Sequence, residues 1–291
     1  MIEGLGIPYM GSKRKLAPSI INFILKDYPE CKYFYDLFGG GGAVSFCAMQ
    51  VPQIKKVFYN ELNTGVTELL KKIINEGVTH EFYNWVDRDF FKANVNRDDW
   101  LGGLLKCCWS FGNNQRGYLF GKELERHKQL LHKAVVDNNP FCFEILAQEC
   151  GIEIPVTLFD NNSFFEQSIK DRRMILMQYI RDTIGRIDLQ QLERLQQLER
   201  LGRLDVEIST SAEQTILYLD PPYKSTSKYE KDACHDELKE WIQASPYKIY
   251  VSGYDNVYEL KEVYSMDHRS RLSATNKGKI VKEKLYTNQE R

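Results

Sequence analysis

Apolar side chains recur three and four positions apart in LAPSIINFILKDY, residues 16–28, and this spacing predicts an amphipathic helix. The pattern then changes. From Tyr33 to Phe38 aromatic and apolar residues run together and read as a buried strand. Four glycines, Gly39 to Gly42, end that run, and AVSFCAM after them reads as a helix. KKVFYNELN predicts a second strand ending in Glu61. From about residue 65 to 185 the strand–helix alternation stops, and long polar helical segments take its place. It returns after about 205. DVEI is a short strand candidate, TILYLDPPY contains a buried strand, DELKEWIQA is a helix, and KIYVSGYD is a strand. KIVKEKLYT alternates and reads as the final strand. This distribution predicts an α/β sheet, mostly parallel, built from 1–64 and 186–291, with 65–185 as a mostly helical insertion.

One stretch resists this reading. LQQLERLQQLERL puts leucine at 189, 192, 195, 198, 201 and 204, a strict period of three. At about 100° per residue, six such leucines spread around an α-helix and make no stripe. The period suits a 3₁₀ segment or a short solenoid-like excursion, and an ordinary helix held by Gln, Glu and Arg propensity is the alternative. The repeat carries no evident chemistry.

Composition narrows the class. A chain of 291 residues corresponds to roughly two domains at about 150 residues each, with 43% hydrophobic and 27% charged residues as in globular proteins. Thirty-nine basic against 40 acidic residues leave a net charge of −1, which excludes a uniformly basic nucleic-acid coat but not an enzyme with a local basic face. The seven cysteines form no CxxC pair and no zinc-spaced Cys/His cluster, so reduced buried thiols and no metal are expected. No apolar run approaches the roughly 18 residues of a membrane span, and the N-terminus lacks a signal-peptide core. A cytoplasmic protein, monomeric when free, is the expectation.

Four motifs bear on chemistry. Strand, glycine loop and helix open a nucleotide-binding α/β unit, and glycine allows a tight turn and a close approach of backbone to ligand. GxGxxG fails, because Val44 stands where the last glycine belongs, and no GK[ST] follows. Phosphate cradling is therefore disfavoured. Glu61, at the end of the second strand, is placed to accept ribose hydroxyls, although an exposed Glu there is also common. Asp220-Pro221-Pro222-Tyr223 is more specific. The two prolines stiffen the loop and leave their carbonyls as acceptors. A carboxylate and a proline carbonyl together accept both hydrogens of an exocyclic amino group, and Tyr223 offers a face for stacking a base. For the tetrapeptide alone, a Pro-Pro turn ending a strand is the alternative. Last, Tyr9, Gly11 and Lys13 precede the first helix, where they can close over a ligand or merely form a solvated basic segment.

YMGSKRKL, DLFGGGGAVS, NELN and LDPPY, in this order, resemble the motifs of Dam-type DNA adenine methyltransferases, with most similarity to the phage and prophage branch. RSRLSATNKGKIVKEKLY and WSFGNNQRGYLFGKELE resemble that branch too, and the likeness covers nearly the whole chain except about 135–204. The resemblance implies a Rossmann-like S-adenosylmethionine-dependent methyltransferase sheet with an inserted helical target-recognition domain, acting on double-stranded DNA. It implies cofactor contacts from Tyr9, Lys13, Asp36, Phe38, Gly40, Gly42 and Glu61, where many members have Asp at the last of these. Asp205 fits the position of an adenine-contacting Asp, and Asp220 sits between cofactor and target base. Pro221, Pro222 and Tyr223 complete the catalytic set.

The middle segment Ser110–Tyr118 has the right chemistry for reading DNA. Asn113 and Asn114 are candidates for adenine and Arg116 for guanine, with Tyr118 as an aromatic wedge. A polar turn between helices is the alternative. Lys106, Lys122, Arg126 and Lys128, with Arg269, Arg271, Lys277 and Lys279, are candidates for phosphate contact. Competing functions are the same chemistry on cytosine, RNA adenine or a protein glutamine, and an inactive relative that only binds DNA. Asp at the head of the tetrapeptide favours adenine.

Overall fold

The computed structural model describes residues 2–153, 163–183, 190–199, 214–222, 235–269 and 280–289. Asp205, Tyr223, Arg271, Lys277 and Lys279 lie outside these residues, as do the DVEI segment and Leu189, Leu201 and Leu204 of the repeat. The contacts divide the chain into a sheet unit, Met1–Thr64 with Leu204–Arg291, and a helical unit, Gly65–Arg203.

In the sheet unit, helix α1 (Ala17–Asp27) carries Pro18 in its first turn and buries Ala17, Ile20, Ile21 and Ile24, one face at helical spacing. It leads to strand β1 (Tyr33–Asp36) and, through the glycines, to α2 (Ala43–Met49) and β2 (Lys56–Tyr59). β1 pairs in parallel with β2 on one side and with β3 (Thr215–Leu219) on the other, so the strand order reverses at β1. β4 (Lys248–Gly253) continues the parallel sheet, and β6 (Ile280–Thr287) and β5 (Lys261–Arg269) add antiparallel strands in the order β2-β1-β3-β4-β6-β5.

β3 and β4 are buried at every position, as parallel strands covered on both faces must be. Their side chains alternate between two cores. Ile216, Tyr218 and Tyr250 pack with α1 and α2, while Leu217, Leu219, Ile249 and Val251 pack with Ile242 of helix α11 (His235–Ala244). β5 is absent from the sequence reading for a physical reason. It is an edge strand carrying Lys261, Glu262 and Asp267, and a bulge between Glu262 and Tyr264 breaks its alternation.

The helical unit holds α3 (Thr64–Glu76), all of which but Thr64 belongs to it, and α4 (Arg88–Asn94), α5 (Trp100–Cys108), α6 (Lys122–Val135), α7 (Pro140–Cys150), α8 (Ser163–Glu166), α9 (Ile169–Thr183) and α10 (Gln190–Glu199). α3 and α5 approach so closely that a Cβ on Gly103 would stand 2.0 Å from the Gly65 carbonyl oxygen. α10 corrects the sequence reading. Residues 186–203, assigned there to the sheet part, fall in the helical unit, because α10 packs on α5 and on the short turn His80–Tyr83. It is an ordinary α-helix. Leu192, Leu195 and Leu198 are fully buried, since three leucines at this spacing still span only about 120° of the circumference.

His132 of α6 is buried between Trp85 and Trp109, with Nε2 2.8 Å from the Tyr83 carbonyl oxygen. Burial pushes its pKa down to about 4, against the pull of that hydrogen bond. The unfolded chain takes up this proton near pH 6.5 and the folded chain does not until about pH 4. Stability present above pH 6.5 is therefore lost as the pH falls toward 4, by about 3 kcal/mol at most. Urea unfolding from pH 7 to 4 should show this loss, and His132→Gln should flatten it. Parallel profiles for the two proteins would remove His132 from the account. Described cysteines are free, and all are buried except the half-buried Cys150.

Candidate active site

β1 and β3 are adjacent and parallel, with Asp36 opposite Tyr218, so the glycine turn after β1 and Asp220 after β3 lie at the same, carboxyl, end of the sheet. The order reversal at β1 makes this end a crevice of the kind where open α/β sheets bind ligands.

The turn is built around close backbone approaches. Gly40 and Gly42 have φ of 49° and 74°, in the left-handed region. The N-terminal segment lies directly against the turn. Ile7 N–H donates to the Gly41 carbonyl at 2.8 Å, and a Cβ on Gly41 would meet the Ile7 carbonyl oxygen at 2.6 Å. The Tyr9 ring covers Gly40, where an added Cβ would stand 3.1 Å from it. Phe38 is half-buried and packs against the α11 side of the sheet.

Glu61 lies two residues past the end of β2. Its Oε2 accepts from Gly40 N–H at 2.9 Å, and its Oε1 from Asn63 N–H at 2.8 Å and the Tyr9 hydroxyl at 3.5 Å. Burial raises its pKa, and these hydrogen bonds act in the other direction. Asp36 is 1% exposed, and its Oδ2 accepts from the N–H and hydroxyl of Ser45 in α2, at 3.2 and 2.7 Å. Its Oδ1 is buried and has no hydrogen-bond partner among the described residues. Burial pushes this carboxyl up to about 7, opposed by the Ser45 hydroxyl and reinforced by Asp220 and Glu61.

Lys13 joins the end of β3 to β6. It is 7% exposed, with Nζ 2.9 Å from Asp220 Oδ2 and 3.6 Å from Oε1 of Glu283, which is fully buried on β6. Burial disfavours its charge, but the Asp220 and Glu283 carboxylates outweigh that and hold its pKa above the ordinary lysine value. Pro221 is buried and Pro222 half-buried beside a cleft whose lining includes Ser252, Tyr254, His235 and Tyr258. Glu283 and Tyr254 are absent from the sequence reading. One signal was available for the first: in the alternating strand KIVKEKLYT, Glu283 shares the inward face with Leu285.

Tyr9, Lys13, Asp36, Gly40, Glu61 and Asp220 thus come together. A carboxylate-rich end with one buried ammonium suits a cationic ligand and offers acceptors to an amino group. Residues 9–100 match the model of a family described as D12 class N6 adenine-specific DNA methyltransferase. The chain is an adenine-specific DNA methyltransferase. A comparison with the curated proteins finds no match. The matched segment carries Tyr9, Lys13, the glycine turn and Glu61 of the methyltransferase, and the class implies S-adenosylmethionine as its methyl donor. DNA is the substrate that the class implies. No described helix of the methyltransferase is long and apolar enough to cross a membrane, and no group of three metal-binding side chains occurs among the described residues.

In the helical unit the proposed reading segment is a tight turn. Ser110 bridges Tyr118, Phe111 N–H donates to the Gly117 carbonyl at 2.7 Å, and Asn114 Oδ1 accepts from the N–H groups of Arg116 and Gly117. Arg116 and Asn114 are exposed and Asn113 half-buried. Tyr118 is a correction. It is 9% exposed, donates its hydroxyl to the Val86 carbonyl at 2.7 Å and lies under the Arg88 guanidinium. The bridge with Ser110 turns this ring inward. Phe111, 66% exposed, is the aromatic that the turn presents. Lys106 and Lys128 are buried, which removes them from the phosphate-contact set, and Arg126 pairs with Glu149 at 2.6 Å. Lys122 is exposed.

Proposed function

We propose that this methyltransferase binds S-adenosylmethionine over the glycine turn and methylates the amino group of an adenine turned out of duplex DNA. The observation that supports this best is the pairing of Asp220 with Lys13 beside the Gly40–Glu61 contact, at the ends of adjacent strands. The site fits the cofactor in its chemistry. The buried Oδ1 of Asp36, without a hydrogen-bond partner among the described residues, is an acceptor for an amino group, and Glu61, with Tyr9, stands where ribose hydroxyls bind in this kind of sheet. When bound, the cofactor would supply a sulfonium methyl open to in-line attack by a nitrogen lone pair, with the thioether sulfur leaving with the electron pair of the C–S bond.

The chain's part is orientation. The adenine amino nitrogen is a poor nucleophile because its lone pair is delocalised into the ring. The Asp220 carboxylate and the Pro221 carbonyl accept its two hydrogens, which favours a pyramidal nitrogen with a localised pair. Lys13 favours the carboxylate form of Asp220, so that it stays an acceptor. Two prolines fix the loop's φ and keep its carbonyl available. Tyr223 supplies the stacking face, and Tyr254, which lines the cleft with Pro221 and Pro222, is a second aromatic. The helical unit reads the DNA through Arg116, Asn113 and Asn114, with Phe111, and not the buried Tyr118, as the aromatic wedge. The protein acts as a monomer in the free state.

Transfer of labelled methyl from the cofactor to duplex DNA, followed by nucleoside analysis, tests this. N6-methyladenine at a fixed sequence context is the expected product. Label in cytosine, in RNA alone or in protein would replace the reading with one of its competitors. No label on any of them would leave a DNA-binding relative without activity.

A further inference from the structure

The leucine repeat has no place in the chemistry above, yet one of its residues reaches the turn. α5 ends at Cys108, and the last carbonyls of a helix need partners from outside it. The Lys106 carbonyl accepts from the Ser110 hydroxyl at 2.5 Å, and the Trp109 carbonyl from Leu119 N–H at 2.9 Å. The Cys108 carbonyl is taken by Arg194 of α10. One guanidinium nitrogen lies 3.0 Å from the Cys108 oxygen and 2.9 Å from the Ser110 oxygen. It therefore spans the end of the helix and the first residue of the turn, and adds positive charge at a helix C-terminus.

Arg194 is itself held. Leu192, Leu195, Leu198 and Gln191 are buried, and the Glu199 carboxylate accepts from the Tyr83 hydroxyl at the far end of α10. On a helical wheel Arg194 lies about 40° from Leu198, at the edge of the buried arc. The turn is held within itself by Asn114 Oδ1, which accepts from Arg116 and Gly117 N–H, and by Gln115 N–H, which donates to the Ser110 hydroxyl oxygen at its foot. Gly112, Asn113 and Gln115 have φ of 58°, 57° and 64°, and Phe111 and Arg116 are exposed. Positive φ at non-glycine residues persists only where the surroundings fix it.

We propose that α10 is a brace for the Ser110–Tyr118 turn, with Arg194 as the positioning residue that sets the pose of Arg116 and Phe111 toward DNA. This rests on the reading of that turn as a DNA contact. The leucine period of three then has a purpose: it seats a short helix on α5 with an arginine at the edge of the seat.

The test uses the full-length protein with Arg194→Ala, Arg194→Lys and, as a reference, Arg116→Ala. Measured are KM for duplex DNA, kcat, discrimination among single-base variants of the site, cofactor affinity, and hydrogen exchange of the amides of Phe111 to Leu119. Arg194→Ala should raise KM for DNA about tenfold, relax discrimination and speed exchange at Phe111 and Leu119, with cofactor affinity unchanged. Arg194→Lys should recover most of this, because a single nitrogen makes both contacts. It also serves if the alanine variant fails to fold: exchange and KM near wild type in the lysine variant support the brace. Unchanged exchange and KM in Arg194→Ala overturn it, and so does a lysine variant no better than alanine. If Arg116→Ala leaves DNA binding and discrimination intact, the reading of the turn falls. The role of Arg194 in recognition falls with it, whatever the exchange shows.

Discussion

Asp220→Ala is expected to cut methyl transfer by at least about 10²–10³-fold, the usual cost of losing an oriented acceptor, while leaving affinity for duplex DNA nearly unchanged. The separation follows from where Asp220 sits. It leaves β3 beside buried Lys13 and next to Pro221, at the sheet's carboxyl end, where the proposed function puts the target amino group and no phosphate. Asp220→Asn sharpens the test. The amide keeps one acceptor oxygen but replaces the other with donors, and it presents no negative charge to Lys13. It should therefore fall near the alanine variant. Single-turnover rates with DNA in excess measure the chemical step, and filter binding measures affinity. Turnover close to wild type in either variant would end the proposed role. A parallel loss of DNA binding would move Asp220 from the reacting base to the binding surface.

Local pattern carried the sheet but not the site's wiring. α2 coincides with AVSFCAM and β3 with the apolar part of TILYLDPPY, because glycine and proline punctuate the chain where the backbone must turn. The pattern puts Glu61 at the end of the second strand, and it stands two residues beyond it, turned back onto Gly40. What periodicity does not encode is which distant side chains meet. Lys13, Asp220 and Glu283 come from the N-terminal segment, from the turn after β3 and from β6, and only the sheet order joins them. The turn in the helical unit shows the same limit at short range. Phe111 and Tyr118 are both aromatic ends of one polar segment, and composition does not tell which faces out. The Ser110–Tyr118 bridge decides it. For the leucine repeat the ordinary helix is the alternative that holds: six leucines at this period make no stripe, but α10 buries a three-leucine arc among the described residues.

Lys13→Met should destabilise the protein by about 3–5 kcal/mol at pH 8, the cost of removing one partner from a buried ion pair. Its Nζ lies within 4 Å of two carboxylates, one of them fully buried, so the variant leaves Asp220 and Glu283 facing each other without the cation between them. A carboxylate left buried without its cation is disfavoured in its charged form. Such a group costs stability when ionised and costs nothing once both states are protonated. The deficit against wild type should therefore be larger at pH 8 than at pH 5. In the wild type the ammonium pKa is raised, so the stabilisation that it provides is fully present below its unfolded value of about 10.5 and fades only above its folded one. Glu283→Gln removes one of the two facing charges. In the double variant Lys13→Met/Glu283→Gln the loss should be smaller than the sum of the single losses by about 1 kcal/mol or more. Urea unfolding of the four proteins at pH 5 and pH 8 supplies the whole cycle. Strict additivity at both pH values, or a Lys13→Met deficit that grows toward acid, would mean that the buried ammonium is not coupled to these carboxylates. The view of Lys13 as the group that keeps Asp220 an acceptor would then have to be given up.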